Sequence, residues 1–478
     1  MLHKNLIDGA WVAGPERPNI NPSDTHDVIG DYSQASRDQA SQAVAAARAA
    51  FPAWSRTTCQ HRADMLDRIG AEILARRAEI ADLLAREEGK TLAEATGETV
   101  RAGNTFKYFA GEALRAPGEF PGSVRPGVDV IVSREAIGVV SLITPWNFPI
   151  AIPSWKIAPA LAFGNCVVFK PADLVPGCAW VLADIIHRAG CPAGVFNLVM
   201  GRGREIGGAL IGPDVDAISF TGSTEVGASV LRDAAGHNIR TQLEMGGKNP
   251  LVILNDADLD VAVEVACDGS YGATGQRCTA SSRLIVEDGI HDAFVERLTA
   301  RLARIIVGDA RDPRTTMGPV ASEAQLAQNL RYIETAVDEG GTLAFGGAAV
   351  ACATPGYFMA PALITDTDKA MTINREEVFG PVVSVIRASG YDEALALAND
   401  TPFGLSAGIC TQSLARAMDF RRNAQAGQVM VNLPTAGVDY HVPFGGRKAS
   451  SHGPREQGRT AAEFYTTVKT AYIGGGRA

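Results

Sequence analysis

The sequence predicts an α/β protein with two doubly wound open-sheet domains and a protruding β arm. Three observations predict it. Between 161 and 253, short apolar runs (CVVF, VFNLVM, DAISF, PLVIL) alternate with helical stretches such as 179–188 and 226–235, as buried parallel strands with crossover helices do. A second unit of the same kind begins near Gly246. At 478 residues the chain also exceeds what a single core supports.

In chain order, 35–115 reads as largely helical, with apolar residues at helical spacing over 40–50 and 63–88. Pro117 and Pro121 interrupt the pattern. Segments 128–132 and 136–143 read as strands flanking a turn at 133–135, a hairpin that would project as an arm. The second unit carries a helix over 259–273, strand RLIV, helices over 291–306 and 322–338, and strand VVSVI. The tail after Pro443 is rich in Gly, Arg and Ser and ends in the alternating stretch EFYTTVKTAYI. A terminal strand of that kind exposes edge groups that seek pairing, so a homo-oligomer contact is expected there.

Composition narrows the function. The chain is 46% apolar and 20% charged with 50 glycines, as in ordinary globular proteins. Its formal charge is 44 − 53 = −9 without a basic run, which argues against nucleic acid and anionic membranes as partners and for a small-molecule ligand. No signal-peptide core opens the chain and no apolar run reaches ~18 residues, so a cytoplasmic location is expected. The eight cysteines form no CxxC pair and no zinc-type spacing, so no metal is expected.

Four segments carry residue types that are costly or odd unless used. In TPWNFP (144–149), Asn147 sits in a proline-flanked loop after a strand, where a stiff amide can bind a developing oxyanion or merely satisfy its own turn. The turns VFKPAD (168–173), VMGRGREIG (199–207) and FTGSTEVG (220–227) all follow predicted strands, where open α/β sheets bind nucleotides. Gly222 and Ser223 open a helix whose N-terminus suits a pyrophosphate, Gly203 belongs to a loose GxGxxxG, and Lys170 projects toward a ribose. Singly, each reads more readily as turn chemistry or a solvated face. In LEMGGK, Glu244 in apolar company has the raised pKa that a general base needs, although a solvated carboxylate before a glycine turn fits too. In YGATGQRCTA, Cys278 follows two glycines, and the adjacent Arg277 would favour its thiolate.

Together these segments resemble the aldehyde dehydrogenase superfamily, from LIDGAW near the start to VPFGGRKASS near the end. The family's general-base glutamate and nucleophilic cysteine are normally 34 residues apart, and here 278 − 244 = 34. The resemblance implies an aldehyde dehydrogenase-like fold with an NAD(P)-binding domain (1–117 and 137–244), a catalytic domain (245–454) and an oligomerisation arm (118–136 and 455–478), assembled as a dimer or a dimer of dimers. It implies Cys278 as nucleophile, Glu244 as base, Asn147 as oxyanion donor and Lys156 as a further catalytic residue. Thr144, Pro145, Trp146, Lys170, Asp173, Gly203, Phe220, Gly222, Ser223, Glu377 and Phe379 would bind the cofactor. A thiohemiacetal and then a thioester on Cys278 would carry the aldehyde to the acid, and Glu244 favours hydrolysis over transfer to coenzyme A.

NAD is the implied cofactor. NADP use stays open because Asp173 stands where many NAD-using relatives carry glutamate, and Arg202 and Arg204 lie in the nearby glycine turn. The family pattern lines the aldehyde tunnel with Arg101, Phe148, Ala151, Trp155, Arg277 and Phe444. Two arginines there suit a substrate carboxylate unless protein acids pair with them. The motif context is most similar to bacterial α-ketoglutaric semialdehyde (2,5-dioxopentanoate) dehydrogenases. Succinate semialdehyde, a broad aldehyde range and a non-enzymatic crystallin-like role are the alternatives.

Overall fold

The computed structural model describes residues 2–115 and 118–475. Pro117 and the tail 476–478, at the edges of the expected units, lie outside them.

The first sheet has eight strands in the order Ser451–His452, Arg240–Glu244, Ala217–Thr221, Val139–Ile143, Cys166–Lys170, Phe196–Leu198, Asn5–Ile7, Ala10–Val12. The five from Arg240–Glu244 to Phe196–Leu198 are mutually parallel. Cys166–Lys170 and Ala217–Thr221 are buried at every position, which is why they read as unbroken apolar runs rather than alternating ones. Helix Ala151–Ala162 is likewise buried on all sides, its AIPSWKIAPALA leaving no polar face except Ser154 and Lys156. Helices Arg37–Trp54 and Leu92–Ala113 start at capping boxes, Ser36 with Gln39 and Thr91 with Glu94.

The second sheet has seven strands in the order Thr342–Phe345, Ala362–Thr367, Val382–Ala388, Ser281–Glu287, Asn249–Ile253, Ser406–Cys410, Gln428–Val431, parallel except at Thr342–Phe345. Two doubly wound sheets therefore stand where the alternating pattern places them.

Three element expectations are corrected. There is no hairpin at 133–135: Val128–Ala136 runs through as one strand and pairs antiparallel with Thr466–Gly474, from Ala136 opposite Thr466 to Val128 opposite Gly474. The polar Ser133-Arg134-Glu135 looked like a turn because this stretch is only partly covered, with Ser133 and Arg134 half-buried and Glu135 exposed. The real break is at Gly138 (φ 137°), where a Cβ would collide with the Asp216 carboxylate that accepts the Val139 N–H. The helical pattern over 63–88 is two helices, Cys59–Ala75 and Arg77–Glu88, parted at Arg76. Arg76 leaves the helical region (φ −92°, ψ 14°) while its guanidinium bridges Glu72 and Glu79 across the joint. With no Gly or Pro at the joint, apolar spacing alone could not reveal it. In the tail, residues 463–465 end a short helix, Ala461–Tyr465, and the strand starts at Thr466.

Candidate active site

From Val139–Ile143 the chain winds outward through Cys166–Lys170 and Phe196–Leu198, then returns to Ala217–Thr221 on the other side. The switch in winding leaves a crevice at the carboxyl ends of the central strands, where open α/β sheets take ligands. Thr144, Pro145 and Trp146 leave one strand there, Lys170 ends the next, and Phe220 and Gly222 close the third. Ser223 caps helix Thr224–Ala235, its hydroxyl accepting the Val226 N–H. Gly203 opens helix Gly203–Leu210, and a Cβ on it would lie 3.9 Å from Lys170 Cε. Among the described residues the Lys170 ammonium reaches only the carbonyl of Pro171, at 2.8 Å, and burial brings its pKa down to about 8. Thr144 Oγ1 is buried without a partner. An under-used lysine, an orphan hydroxyl and a capped helix N-terminus around one crevice fit a dinucleotide.

Asp173 is tied to Arg17, Nη1 to Oδ2 at 2.6 Å. Burial works to raise its pKa, but the Arg17 hydrogen bond and the charges of Arg17 and Lys170 outweigh it and hold the carboxyl below its usual value. Arg202 and Arg204 are not free cations either, since both approach Glu205, at 4.0 and 3.8 Å.

Across the crevice, Glu377 accepts the Gly247 N–H at 2.8 Å, and burial pushes its carboxyl to about 7. The glycine pair of LEMGGK allows this approach: a Cβ at Gly246 would come within 2.1 Å of Glu377 Oε2, and one at Gly247 within 2.8 Å of the Cys278 carbonyl. Phe379, in the left-handed region at φ 61°, sets its ring edge-on to Trp146 with centroids 5.4 Å apart.

Cys278 follows Ala273 (φ 49°), Thr274 (φ 56°) and Gly275 (φ 68°), three consecutive left-handed residues of which two are not glycine. Such backbone persists only where its surroundings hold it. Here Glu94 Oε1 accepts the Ala273 N–H at 2.6 Å, while Oε2 accepts the Thr91 N–H in the capping box. Asn147, 3% exposed, donates Nδ2–H to the carbonyl of Gln276 at 2.9 Å, two residues before Cys278. The amide and the thiol thus share one loop.

The expected effect of Arg277 on the thiol is corrected. Burial first, then the charges of Glu377 and Glu244, push Cys278 up to about 12. The Arg277 guanidinium turns to Glu94, Nη2 to Oε1 at 3.4 Å, so its charge is spent on a carboxylate 183 residues away in sequence.

Glu244, 2% exposed, ends strand Arg240–Glu244 opposite Thr221 and Ser451. Its Oε2 accepts from the Ser451 hydroxyl and its Oε1 has no partner. Burial and the nearby Glu456 charge raise its pKa well above the carboxylate range, against smaller opposing effects of Ser451, Lys156 and Arg455. Lys156 is fully buried; its ammonium bonds Glu456 and, at 2.7 Å, Ser219 Oγ, which contacts Gln242. It acts on Glu244 through charge.

A cavity of about 350 Å³ ends at Cys278 and is lined by Arg101, Phe148, Trp155, Arg277 and Phe444, together with Lys90, Glu94 and Glu98. Ala151 is buried beneath the wall, and the lining position one residue on belongs to Ile152. The Trp155 and Phe444 rings pack with centroids 5.4 Å apart, tilted by 31°. Arg101 lies 5.3 Å from the Trp155 ring, has no carboxylate within 4 Å among the described residues, and leaves Nε buried without a partner. Desolvation lowers its pKa. Among the described residues its one side-chain bond is Nη2 to Gln457 Oε1 at 3.1 Å, and Gln457 is itself buried, left-handed (φ 59°) and, among the same residues, unpaired at Nε2. Sequence reasoning missed Gln457, Glu94, Lys90, Glu98 and the Glu456 network. The available signal was charged residues placed where the helical pattern is apolar, as in EEGK.

The family model described as "Aldehyde dehydrogenase family" matches residues 11–471. An alpha-ketoglutaric semialdehyde dehydrogenase of Bacillus subtilis is 42% identical, covering 98% of this chain and 97% of its own. A 2,5-dioxopentanoate dehydrogenase of Saccharolobus solfataricus is 39% identical, covering 99% of each. Among solved structures, a betaine aldehyde dehydrogenase of Staphylococcus aureus in complex with NAD+ superposes with a TM-score of 0.96 at 36% identity, over 99% of this chain and 95% of that one.

Proposed function

The chain belongs to the aldehyde dehydrogenase family, and we propose that it oxidises a carboxylate-bearing semialdehyde, 2,5-dioxopentanoate (α-ketoglutaric semialdehyde), to 2-oxoglutarate with NAD. The observation that carries the substrate class is Arg101, a half-buried guanidinium with no carboxylate within 4 Å among the described residues and with Nε unpaired, lining the same cavity as Cys278; Glu98 and Asp439 act on it only at longer range. A substrate carboxylate supplies the missing counter-charge at the far end while the aldehyde reaches Cys278. A cationic aldehyde of the betaine type meets the wrong sign there. The relatives named for α-ketoglutaric semialdehyde and 2,5-dioxopentanoate support the specific choice.

The residues divide the work. Cys278, once its proton has left, attacks the aldehyde carbon to form a thiohemiacetal. Asn147, with the Cys278 N–H, receives the oxyanion, a contribution of roughly 3 kcal/mol per donor. NAD, bound in the crevice, would supply the hydride acceptor that oxidation of a thiohemiacetal to a thioester needs. Glu244 takes a proton from water, whose oxygen then displaces the thiol and releases the acid. Thr144, Lys170, Ser223 and Glu377 hold the cofactor in the crevice. Asp173 keeps a negative charge against a 2′-phosphate, and Arg17 neutralises part of it, so NAD is preferred and NADP accepted less well.

The unit on the eight-stranded sheet (1–117, 137–244) serves as the cofactor domain and 245–454 as the catalytic domain. The ribbon within 118–136 and 455–478 is the contact of a homodimer or dimer of dimers, in keeping with Ile131, Val468, Tyr472 and Ile473 standing 40–62% exposed. The reading includes a cytoplasmic location. No helix among the described residues is long and apolar enough to cross a membrane.

The test is a Cys278→Ala protein assayed with 2,5-dioxopentanoate, succinate semialdehyde, betaine aldehyde and propanal. The native protein should turn over 2,5-dioxopentanoate fastest, and Cys278→Ala should bind NAD without oxidising any of the four. Residual turnover in the variant, or a native preference for betaine aldehyde, contradicts the reading.

A further inference from the structure

A second buried charge cluster touches the site from the helical layer. Lys90, 2% exposed, stands between helices Arg77–Glu88 and Leu92–Ala113. Its ammonium donates to the backbone carbonyl of Asn147 and, at 2.8 Å, to Glu98 Oε2. It also lies 3.6 Å from the centroid of the Phe148 ring, the next residue along. Glu98 Oε1 in turn accepts the N–H groups of Ile150 and Ala151 at 3.0 and 3.1 Å.

One ion pair therefore grips the loop on both sides of Phe148. Pro145 and Pro149 contribute no N–H, so this loop has few backbone hydrogen bonds of its own. A buried pair costs several kcal/mol to desolvate and is a poor device for stability alone. Glu88 is a second carboxylate near the same ammonium, its Oε2 3.9 Å from Lys90 Nζ and accepting the Lys90 N–H, and burial raises its pKa against the opposing charge of Lys90.

We propose that Lys90 and Glu98 are positioning residues that aim the Asn147 amide at the oxyanion, holding its backbone carbonyl from one side and the following helix turn from the other. This rests on the reading of Asn147 as the oxyanion donor. Both residues also line the cavity at Cys278, so an aiming role is told from a substrate-binding one by whether their loss falls on kcat or on KM. Displacing a catalytic donor by about 1 Å costs on the order of 100-fold in rate.

The test is a double-mutant cycle on the full-length protein with saturating NAD. Lys90→Met should lower kcat for 2,5-dioxopentanoate about 10- to 100-fold, with aldehyde KM and NAD affinity by fluorescence titration held within about threefold. In an Asn147→Ala background the same substitution should cost less than about threefold more, because the group being aimed is gone. Glu98→Gln, which keeps shape and one acceptor, runs the same cycle if Lys90→Met does not fold. A large loss for Asn147→Ala with none for either pair variant overturns the inference alone. An equal loss in both backgrounds overturns it too, as that is what a merely structural pair gives. Native kcat in Asn147→Ala removes the oxyanion reading and the pair's role with it.

Discussion

Two side chains decide the chemistry at the residue scale. Replacing Arg101 by Leu should raise KM for 2,5-dioxopentanoate about 10- to 100-fold and leave propanal within about twofold, as expected for a lost charged hydrogen bond of ~1.5–3 kcal/mol. Equal losses on both substrates would show that Arg101 only packs. For Cys278 the direction of the pH effect follows from its raised pKa. With the thiol pushed to about 12, the reactive thiolate is scarce at neutrality and grows with pH throughout the accessible range. Alkylation of the cofactor-free protein by iodoacetamide should therefore accelerate about tenfold per pH unit from 7 to 10. At pH 9, Glu377→Gln should accelerate it further by removing the largest charge acting against the thiolate. A plateau below pH 9 would contradict this. Glu244 works in the same sense, since its raised carboxyl becomes a base only as pH rises. Arg277 shows the limit of local reading, because its neighbour in sequence is Cys278 but its partner is Glu94.

Glu94 joins two parts of the fold at the element scale. It caps helix Leu92–Ala113 with one oxygen and holds the left-handed turn before Cys278 with the other. Glu94→Ala should cost ~1 kcal/mol for the cap, seen as a lower thermal midpoint, and should also reduce kcat as the turn loosens. Loss of the midpoint with kcat intact would place Glu94 in the helix alone. The strands and helices were legible because buried parallel strands are short apolar runs and the helices between them are amphipathic. The breaks were not legible: Arg76 parts two helices without Gly or Pro, and the ribbon Val128–Ala136 depends on a partner more than 300 residues away. Cys278, Glu244 and Asn147 were visible through glycine and proline at strand ends, whereas Lys90, Glu98 and Gln457 matter only through contacts distant in sequence.

The ribbon of Val128–Ala136 and Thr466–Gly474 is the feature of the whole molecule most in need of a partner. Its apolar side chains stand in solvent in a single chain, and two strands alone are marginal. Tyr472→Glu with Ile473→Glu should reduce the particle mass by light scattering below the native value, and an unchanged mass would place the subunit contact elsewhere. The two sheets meet at the crevice that joins Glu244 to Cys278, so their joint action is the central claim. Rapid-quench mass spectrometry of Glu244→Gln with NAD and 2,5-dioxopentanoate tests it most directly. The account predicts a burst of NADH close to one per subunit, an acyl adduct on Cys278, and then slow turnover. Steady turnover at the native rate, or an adduct on any other residue, would contradict it.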